Sequence, residues 1–556
     1  MRRFFLLFCL YIATMCSTLF AQPKYEVRAT WLTTLGGLDW PTAKATNAMG
    51  IAKQKNELCD ILDRLQKAHI NTVLLQVRTR GAVIYPSKYE PFDAVFSGKI
   101  GLSPQYDPLA FAIEECHKRG LELHAWLVCM PVGTQAQIRS LGRQSIVEKR
   151  GELCKQHQGA WYMDPGLPET ARYLRSLVGE IVQQYDVDGI HLDYIRYPEN
   201  ASAFKDAATY QRYGNGKSKD AWRRDNITHI VKEIHTEVKN KKPWVKVSSA
   251  PIGKFADTPR YSSKGWNAFY TVYQDVKQWL AMGIQDAIFP MMYFSGNQFY
   301  PFALDWVEHS AGRFVVPGLG IYFLSPQERN WHLDEIRKQI YFSRGIGAMG
   351  QAYFRNKFLL NDTKGLLSEL QENAYAYPAY VPPMKWEKTS AISSPTSLVA
   401  TLQGALLNLS WTPSISSQGQ VWKYRVYASD TYPVDVEKAE NIVGSTNRAE
   451  TTFRYSLTPT HRQKVFWAIT AVDRFGNEST PLQMELPTAV QNYAVNALPK
   501  QIPTGGYILF SDATGKVVLR TQQLDTPALH HLKGFLRYTL YDEAGKQLQT
   551  GILCKQ

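Results

Sequence analysis

At 556 residues the chain is too long for one hydrophobic core and implies about two to four domains. A hydrophobic content of 44% with 12% aromatic residues excludes a disordered chain. The formal net charge is +14 (63 − 49), yet no long Lys/Arg block accompanies it, which argues against nucleic acid and leaves acidic glycans as partners.

Residues 1–21 read as a secretory signal peptide. Arg2 and Arg3 form a basic start, Phe4 to Ala13 an apolar stretch, and Ala21-Gln22 a cleavage point. Cys16 raises lipoprotein anchoring as an alternative, but Met15 is too bulky to precede a lipidated Cys. Loss of the two arginines leaves +12 (61 − 49). No other apolar run reaches the ~18 residues of a membrane span. The mature protein is therefore expected to be exported, periplasmic or extracellular, with no integral membrane segment. Beyond the signal, Cys59, Cys116, Cys129, Cys154 and Cys554 are scattered and lack CxxC spacing. They suggest neither a disulfide framework nor a zinc site.

From Lys24 to about Asn361, strand-like runs alternate with helical runs. The expected strands are Val27–Thr33, Asn71–Thr79, Leu121–Cys129, Gly189–Tyr194, Val245–Ala250, Ala287–Tyr293, Phe314–Ile321 and Gly347–Phe354. The expected helices are Ala52–Ala68, Pro108–Lys118, Pro168–Gln184, Ala221–Lys239, Tyr273–Ala281, Pro301–Ser310 and Leu333–Ser343. This alternation specifies a (β/α)8 TIM barrel over residues 22–375. A doubly wound open sheet competes, but Gly36-Gly37 is no GxGxxG phosphate loop.

The fourth strand carries the chemistry. In Asp188-Gly-Ile-His-Leu-Asp-Tyr-Ile-Arg-Tyr-Pro198, alternation turns Ile190 and Leu192 one way and His191 and Asp193 the other. A barrel covers both faces, so the second pair points inward near the carboxyl-terminal mouth, where barrel active sites lie. Tyr194, Arg196 and Tyr197 add an aromatic and cationic rim. The same parity places Gln76 and Arg78 inside on strand two, and Glu122, His124 and Trp126 inside on strand three. On strand one it is taken to place Glu26 and Arg28 inside, with Val27 and Ala29 packing on helices. Arg28, Arg78, His124 and Asp193 then stand at equivalent depth, and buried charges must be paired. Mouth-side loops add Trp40, the Tyr85–Pro91 segment with Glu90, Asp164 as a helix cap, and Glu328 near Tyr322.

Composition shifts after about Ala374. Residues 376–394 read as a Pro- and Ser-rich linker. Short strands with turns over 395–487 fit an all-β sandwich, and Trp411, Tyr424 and the Val472–Ser479 ending resemble a fibronectin type III module. Residues 488–556 hold two similar strand–turn–strand runs, around Asp512-Ala-Thr-Gly515 and Asp542-Glu-Ala-Gly545, and read as a small β-domain.

Residues 24 to about 375 resemble the glycoside-hydrolase-like family 10 barrel of bacterial cell-envelope proteins. The resemblance rests on Glu26–Trp31, Asn71–Arg78, Tyr85-Pro-Ser87 with Glu90-Pro91, Tyr106–Leu109, His117–Trp126, Asp164-Pro-Gly166, Asp188–Pro198 and Phe289–Tyr293. It implies glycosidase activity on peptidoglycan glycan strands, with no cofactor. One departure is Val128-Cys-Met-Pro131, where relatives often continue the third strand with Asn-Pro-Tyr.

Glycoside hydrolysis ordinarily needs two carboxyl groups. Asp193 is expected as nucleophile or base, held ionised by Arg28, Arg78 or Arg196. Ser248-Ser-Ala-Pro251 offers no acid on strand five, so Glu90, then Glu328, are the expected proton donors. His124 and Trp126 are expected to hold and stack the sugar, with Trp40, Tyr293 and Tyr322 as platforms. Trp31, Arg28, Arg78, His191, Arg196 and Tyr197 complete the substrate-binding set. No metal is required. Two rival readings stand beside the glycosidase: a glycan-binding barrel without catalysis, and a structural envelope scaffold.

Overall fold

The computed structural model describes residues 22–556 apart from 404–405, 418, 457–463, 487–497, 500, 513, 533 and 556. The expected signal peptide thus lies outside the described residues. The chain forms two compact units that meet in sequence at Trp386/Glu387. Residues 376–386 do not hang free as a linker: Tyr380 exchanges backbone hydrogen bonds with Lys24 and Glu26, and the Trp386 indole donates to Asp286 at 3.1 Å.

The first unit is built on nine parallel strand segments: β1 (Val27–Leu32), β2 (Thr72–Arg78), β3 (Glu122–Val128), β4 (Gly189–Asp193), β5 (Lys246–Ser249), β6 (Ala287–Ile288), β7 (Phe314–Val315), β8 (Gly318–Leu319) and β9 (Gly350–Tyr353). Their order is β7-β6-β5-β4-β3-β2-β1-β9-β8. β7 and β8 are two halves of one run, separated by Val316-Pro317. Val316 N–H donates to Ile288 O at 2.9 Å, and Ala352 N–H donates to Pro317 O at 3.0 Å. One run therefore bonds both end neighbours, and the sheet closes as a TIM-barrel-like ring. An open doubly wound sheet has no such bonds.

The expected helices are present, and five of the seven begin at a side-chain cap. They are α1 (Ala48–Lys67), α2 (Pro108–Lys118), α3 (Pro168–Gln184), α4 (Lys219–Lys241), α5 (Val276–Ala281), α6 (Tyr300–Glu308) and α7 (Leu333–Gly345). α1 starts four residues earlier than Ala52 because the Asn47 side chain accepts from Gly50 N–H. α2 combines an Asp107 cap with Pro108 in its first turn, where a missing N–H is harmless.

Two apolar layers follow from strand parity. Val73, Leu75 and Val77 of β2 and Leu123, Ala125 and Leu127 of β3 face outward and join a core with the helices. Trp31, Leu74, Trp126 and Phe289 face inward and form a separate cluster. β1 reverses the expected parity: Val27, Ala29 and Trp31 all belong to the inner cluster, so Arg28 faces out. Small residues at the lower end of β1 leave room for the larger rings above. Gly189 does likewise on β4, where an added Cβ would meet the His124 ring at 2.5 Å.

An insertion after β3 forms a small antiparallel sheet of Pro131–Thr134, Ala160–Met163 and Cys154–His157. Among the described residues no helix is long and apolar enough to cross a membrane.

Among the described residues the second unit contains three antiparallel sheets. One orders Thr396–Gln403, Leu406–Thr412 and Thr452–Ser456; another orders Ile442–Ser445, Lys423–Ser429, Phe466–Val472 and Leu482–Glu485. Leu407, Leu409 and Trp411 of the first pack with Tyr424, Val426, Trp467 and Ile469 of the second in one core. A further four-stranded sheet, Val517–Thr521, Tyr507–Ser511, Gly534–Tyr541 and Gln547–Lys555, has its own small core around Ile508, Phe510 and Tyr538.

Candidate functional site

A cavity of about 570 Å³ opens at the carboxyl-terminal ends of the barrel strands. Asp193 lies in its wall at the last position of β4, only 6% exposed. Its Oδ2 accepts from Trp126 Nε1 at 3.1 Å, and its Oδ1 accepts from Tyr194 N–H at 2.7 Å. Burial pushes the Asp193 carboxyl above the ordinary aspartate range. The Arg196 charge and these two N–H donors oppose that shift without cancelling it. Among the described residues, Asp193 is the only carboxylate lining the cavity.

The walls are aromatic. Trp31 and Trp126 come from β1 and β3, and Tyr293 stacks on Phe354 with ring centroids 5.3 Å apart. Trp161 and Tyr162 reach in from the insertion sheet. Burial, and next the Asp193 charge, hold the Tyr293 phenol well above its usual value, so it stays protonated. Flat rings with a few polar groups between them suit the apolar faces and hydroxyls of sugars.

Below this floor His191 is fully buried. Its Nε2 accepts from Trp31 Nε1 at 3.1 Å, which assigns the proton to Nδ1, 3.0 Å from Ser248 Oγ. Burial, with a smaller effect of His124, keeps it neutral by holding its pKa well below 6.5. His191 therefore fixes the Trp31 ring from beneath and does not face the cavity.

Several expected site residues lie elsewhere. Arg28 faces outward, paired with Glu26 at 2.8 Å and lying 4.1 Å from the Tyr375 ring centroid. Arg78 is turned aside because the β2–β3 register shifts between Gln76 and Arg78, a bulge that ends the inward alternation. Its guanidinium forks onto Glu90 at 2.7 and 2.6 Å and donates to the carbonyls of Val128 and Cys129. Glu90 is consumed by that pair and by Tyr173 Oη at 3.1 Å, so it is no proton donor to the cavity. Glu328 is exposed outside it. His124 pairs with Gly189 at the lower end of the barrel and contacts Glu122 at 3.2 Å, too deep to touch a sugar.

Trp40 is core: its indole donates to Gln54 O at 2.8 Å and its ring packs on Phe96. Tyr197 is buried against Phe204 and Tyr273. Tyr322 backs the Tyr293–Phe354 pair and does not line the cavity. Arg196 is buried with its guanidinium 4.4 Å from the Tyr194 ring centroid, and acts on Asp193 through its charge. The geometry thus brings Asp193, Trp31, Trp126 and Tyr293 together. It places Tyr194 in the lining, as the rim reading expected, and adds Trp161, Tyr162, Phe354, Arg355 and Arg80, which were not among the expected site residues.

Trp126→Phe is expected to remove one N–H donor that favours the ionised form of Asp193. The pKa of Asp193 should then rise further, since the hydrogen bond from Trp126 favours the charged form. The pH profile of activity reads this directly, as an upward move of the limb that Asp193 controls; an unmoved limb removes Trp126 from that role.

Comparison with known proteins agrees with this geometry. A family model described as glycosyl hydrolase-like 10 matches residues 26–322, from the residue before β1 to just beyond β8. The chain is 29% identical over 483 residues to glycosyl hydrolase YngK of Bacillus subtilis, covering 83% of this chain and 93% of that one. It is 31% identical over 372 residues to glycosyl hydrolase DigH of Escherichia coli K12, covering 61% of this chain and 84% of that one. With its barrel matched over more than half of its length and a buried acid at the end of the fourth strand, the chain belongs to the glycosyl hydrolase-like 10 family.

Proposed function

We propose that the protein is an exported glycoside hydrolase that cleaves an amino-sugar glycan of the peptidoglycan type, with Asp193 as its proton donor. The observation that carries the reading is one buried carboxyl, pushed towards its protonated form, in the wall of an aromatic cavity at the barrel mouth. A raised pKa suits an acid that must arrive protonated. It suits a nucleophile held ionised much less, so the role expected for Asp193 from the strand pattern changes. Two relatives named glycosyl hydrolase support the reaction class.

With Asp193 the only carboxylate of the wall among the described residues, the second group of the reaction is taken from the substrate. A sugar bearing a 2-acetamido group supplies it, a route known beside the two-carboxylate scheme. Asp193 gives its proton to the glycosidic oxygen as the bond from that oxygen to C1 breaks. The acetamido oxygen bonds to C1 from the other face. A water then attacks C1, passes its proton to the Asp193 carboxylate and releases the acetamido oxygen. Configuration is retained and the enzyme is restored. Trp31, Trp126 and the Tyr293–Phe354 pair hold the ring in place, which lowers the entropic part of the barrier.

The test compares N-acetylated glycan strands with the same strands after chemical de-N-acetylation. Turnover of the free-amine form should fall by at least about 10²-fold, the lower range for losing a positioned group. Equal turnover of both forms would refute the substrate-assisted route. Binding of both without any product would favour a glycan-binding barrel instead.

The remaining assignments rest on sequence pattern. Residues 1–21 direct export to the periplasm or beyond. The paired three- and four-stranded sheets between Thr396 and Glu485 serve as a fibronectin type III module that spaces the barrel from its surroundings. The last sheet is a small β-domain suited to adhesion or glycan contact.

A further inference from the structure

The cavity wall opposite Asp193 carries a positive charge that is only loosely matched. β4 and β9 stand four places apart in a ring of eight, and Arg355 follows the Tyr353-Phe354 end of β9. The Arg355 side chain is 14% exposed and lines the cavity. Its Nη1 is buried without a hydrogen-bond partner. Asp39 Oδ1 lies 3.8 Å away, an ion contact too long for a hydrogen bond. Both Asp39 oxygens already accept backbone N–H groups, from Thr33 at 3.0 Å and from Lys357 at 3.1 Å. Burial also pushes the Asp39 carboxyl upward, which weakens it as a counter-charge. Arg80, exposed just beyond the end of β2, is a second cation in the same lining.

A buried donor left without a partner in a native protein calls for an explanation. A guanidinium presents paired donors that fit a carboxylate, whereas sugar hydroxyls alone do not neutralise its charge. Phe354 directly precedes Arg355 in sequence and stacks on Tyr293, and all three line the cavity, so a pyranose lying on these rings would carry its substituents towards Arg355. We infer that Arg355, assisted by Arg80, forms a subsite for a carboxylate-bearing sugar, so that the enzyme prefers glycans with an acidic substituent such as a lactyl ether or a uronate. This inference deepens the glycosidase reading and rests on it.

The test uses the full chain carrying Asp193→Asn, so that binding is read without turnover. The probe is a tetrasaccharide alternating N-acetylglucosamine with its 3-O-lactyl derivative, as the free acid and as the methyl ester. Calorimetric titration should show the acid binding about tenfold tighter than the ester, a typical gain from a charge-assisted pair. Adding Arg355→Ala should make the two forms equal, and Arg355→Lys should restore part of the difference. Equal binding of acid and ester to the parent overturns the subsite, and so does a preference that survives Arg355→Ala. The ester arm needs no substitution at position 355, so misfolding cannot imitate the result. Turnover by the unaltered enzyme separates the two levels. Cleavage of both forms without discrimination leaves the hydrolase and removes the subsite. Discrimination without cleavage of either leaves the subsite and removes the hydrolase.

Discussion

Asp193→Asn is expected to lower the rate of glycan cleavage by about 10²–10⁴-fold while leaving glycan binding within a few-fold, because a positioned acid contributes that much to proton transfer. The amide keeps the shape and can still meet Trp126, but it cannot give up a proton to the glycosidic oxygen. The pH profile carries the same information. The folded-state pKa of Asp193 is raised, so the protonated, active form is lost as pH rises through that raised value, and activity has a basic limb there. The sign for stability follows from linkage. A folded state that holds its proton more tightly than the unfolded chain loses stability as pH rises from the ordinary aspartate range through the raised pKa. Asp193→Asn removes that loss, so at neutral pH the variant should melt at or above the temperature of the parent. A variant that is both inactive and clearly less stable would point to a structural role for Asp193.

The largest effect on stability is expected at Glu90, where sequence pattern placed a proton donor. Glu90→Gln takes away the charge that matches Arg78 and leaves a fully buried guanidinium facing a neutral amide and two carbonyls. Removing one partner of a buried ion pair costs roughly 3–5 kcal/mol, against roughly 0–1 kcal/mol for an exposed pair. The barrel transition in calorimetry of the full chain should therefore fall by several degrees. Activity per folded molecule should change little, because neither Glu90 nor Arg78 lines the cavity. A loss of cleavage comparable with that of Asp193→Asn, at unchanged stability, would return Glu90 to the reaction. Glu328→Gln should alter neither property, since its side chain is exposed outside the site.

The barrel was legible because its signals are local and repeat. Pro108 and Pro168 mark the helices they begin, and the alternation of Val73, Leu75 and Val77 with Gln76 marks a strand with two different faces. Asp193 and Trp126 were legible for the same reason, as inward positions at strand ends. Depth and twist were not. His124 shares the parity of Trp126 but lies two residues lower, where the interior is a Glu122–Lys246 ion pair at 2.9 Å and not a mouth. Arg78 left its parity at a bulge, which no periodicity announces. On β1 the apolar alternation of Val27 and Ala29 marks the inner face instead of the outer one, and Trp31, which shares their parity, is the residue that signals it.

The residues that were missed fall into two kinds. Phe354 and Arg355 follow the last strand just as Tyr194 follows β4, so the strand-end rule that selected Asp193 reaches them as well. Trp161 and Tyr162 come from a hairpin that no barrel alternation requires. Their side chains reach the cavity only because the insertion sheet pairs Pro131–Thr134 with Ala160–Met163 beside the mouth. That pairing depends on contacts distant in sequence and leaves no periodic trace.

The most direct measurement compares the leaving group. Cleavage of a natural N-acetylated glycan and of a dinitrophenyl N-acetylglucosaminide should be measured for the parent and for Asp193→Asn. A dinitrophenolate departs without a proton, so in the first turnover, before the water step that also uses Asp193, the variant should lose about 10²–10⁴-fold on the glycan and little on the aryl glycoside. An equal loss on both substrates would contradict Asp193 as the proton donor of this barrel.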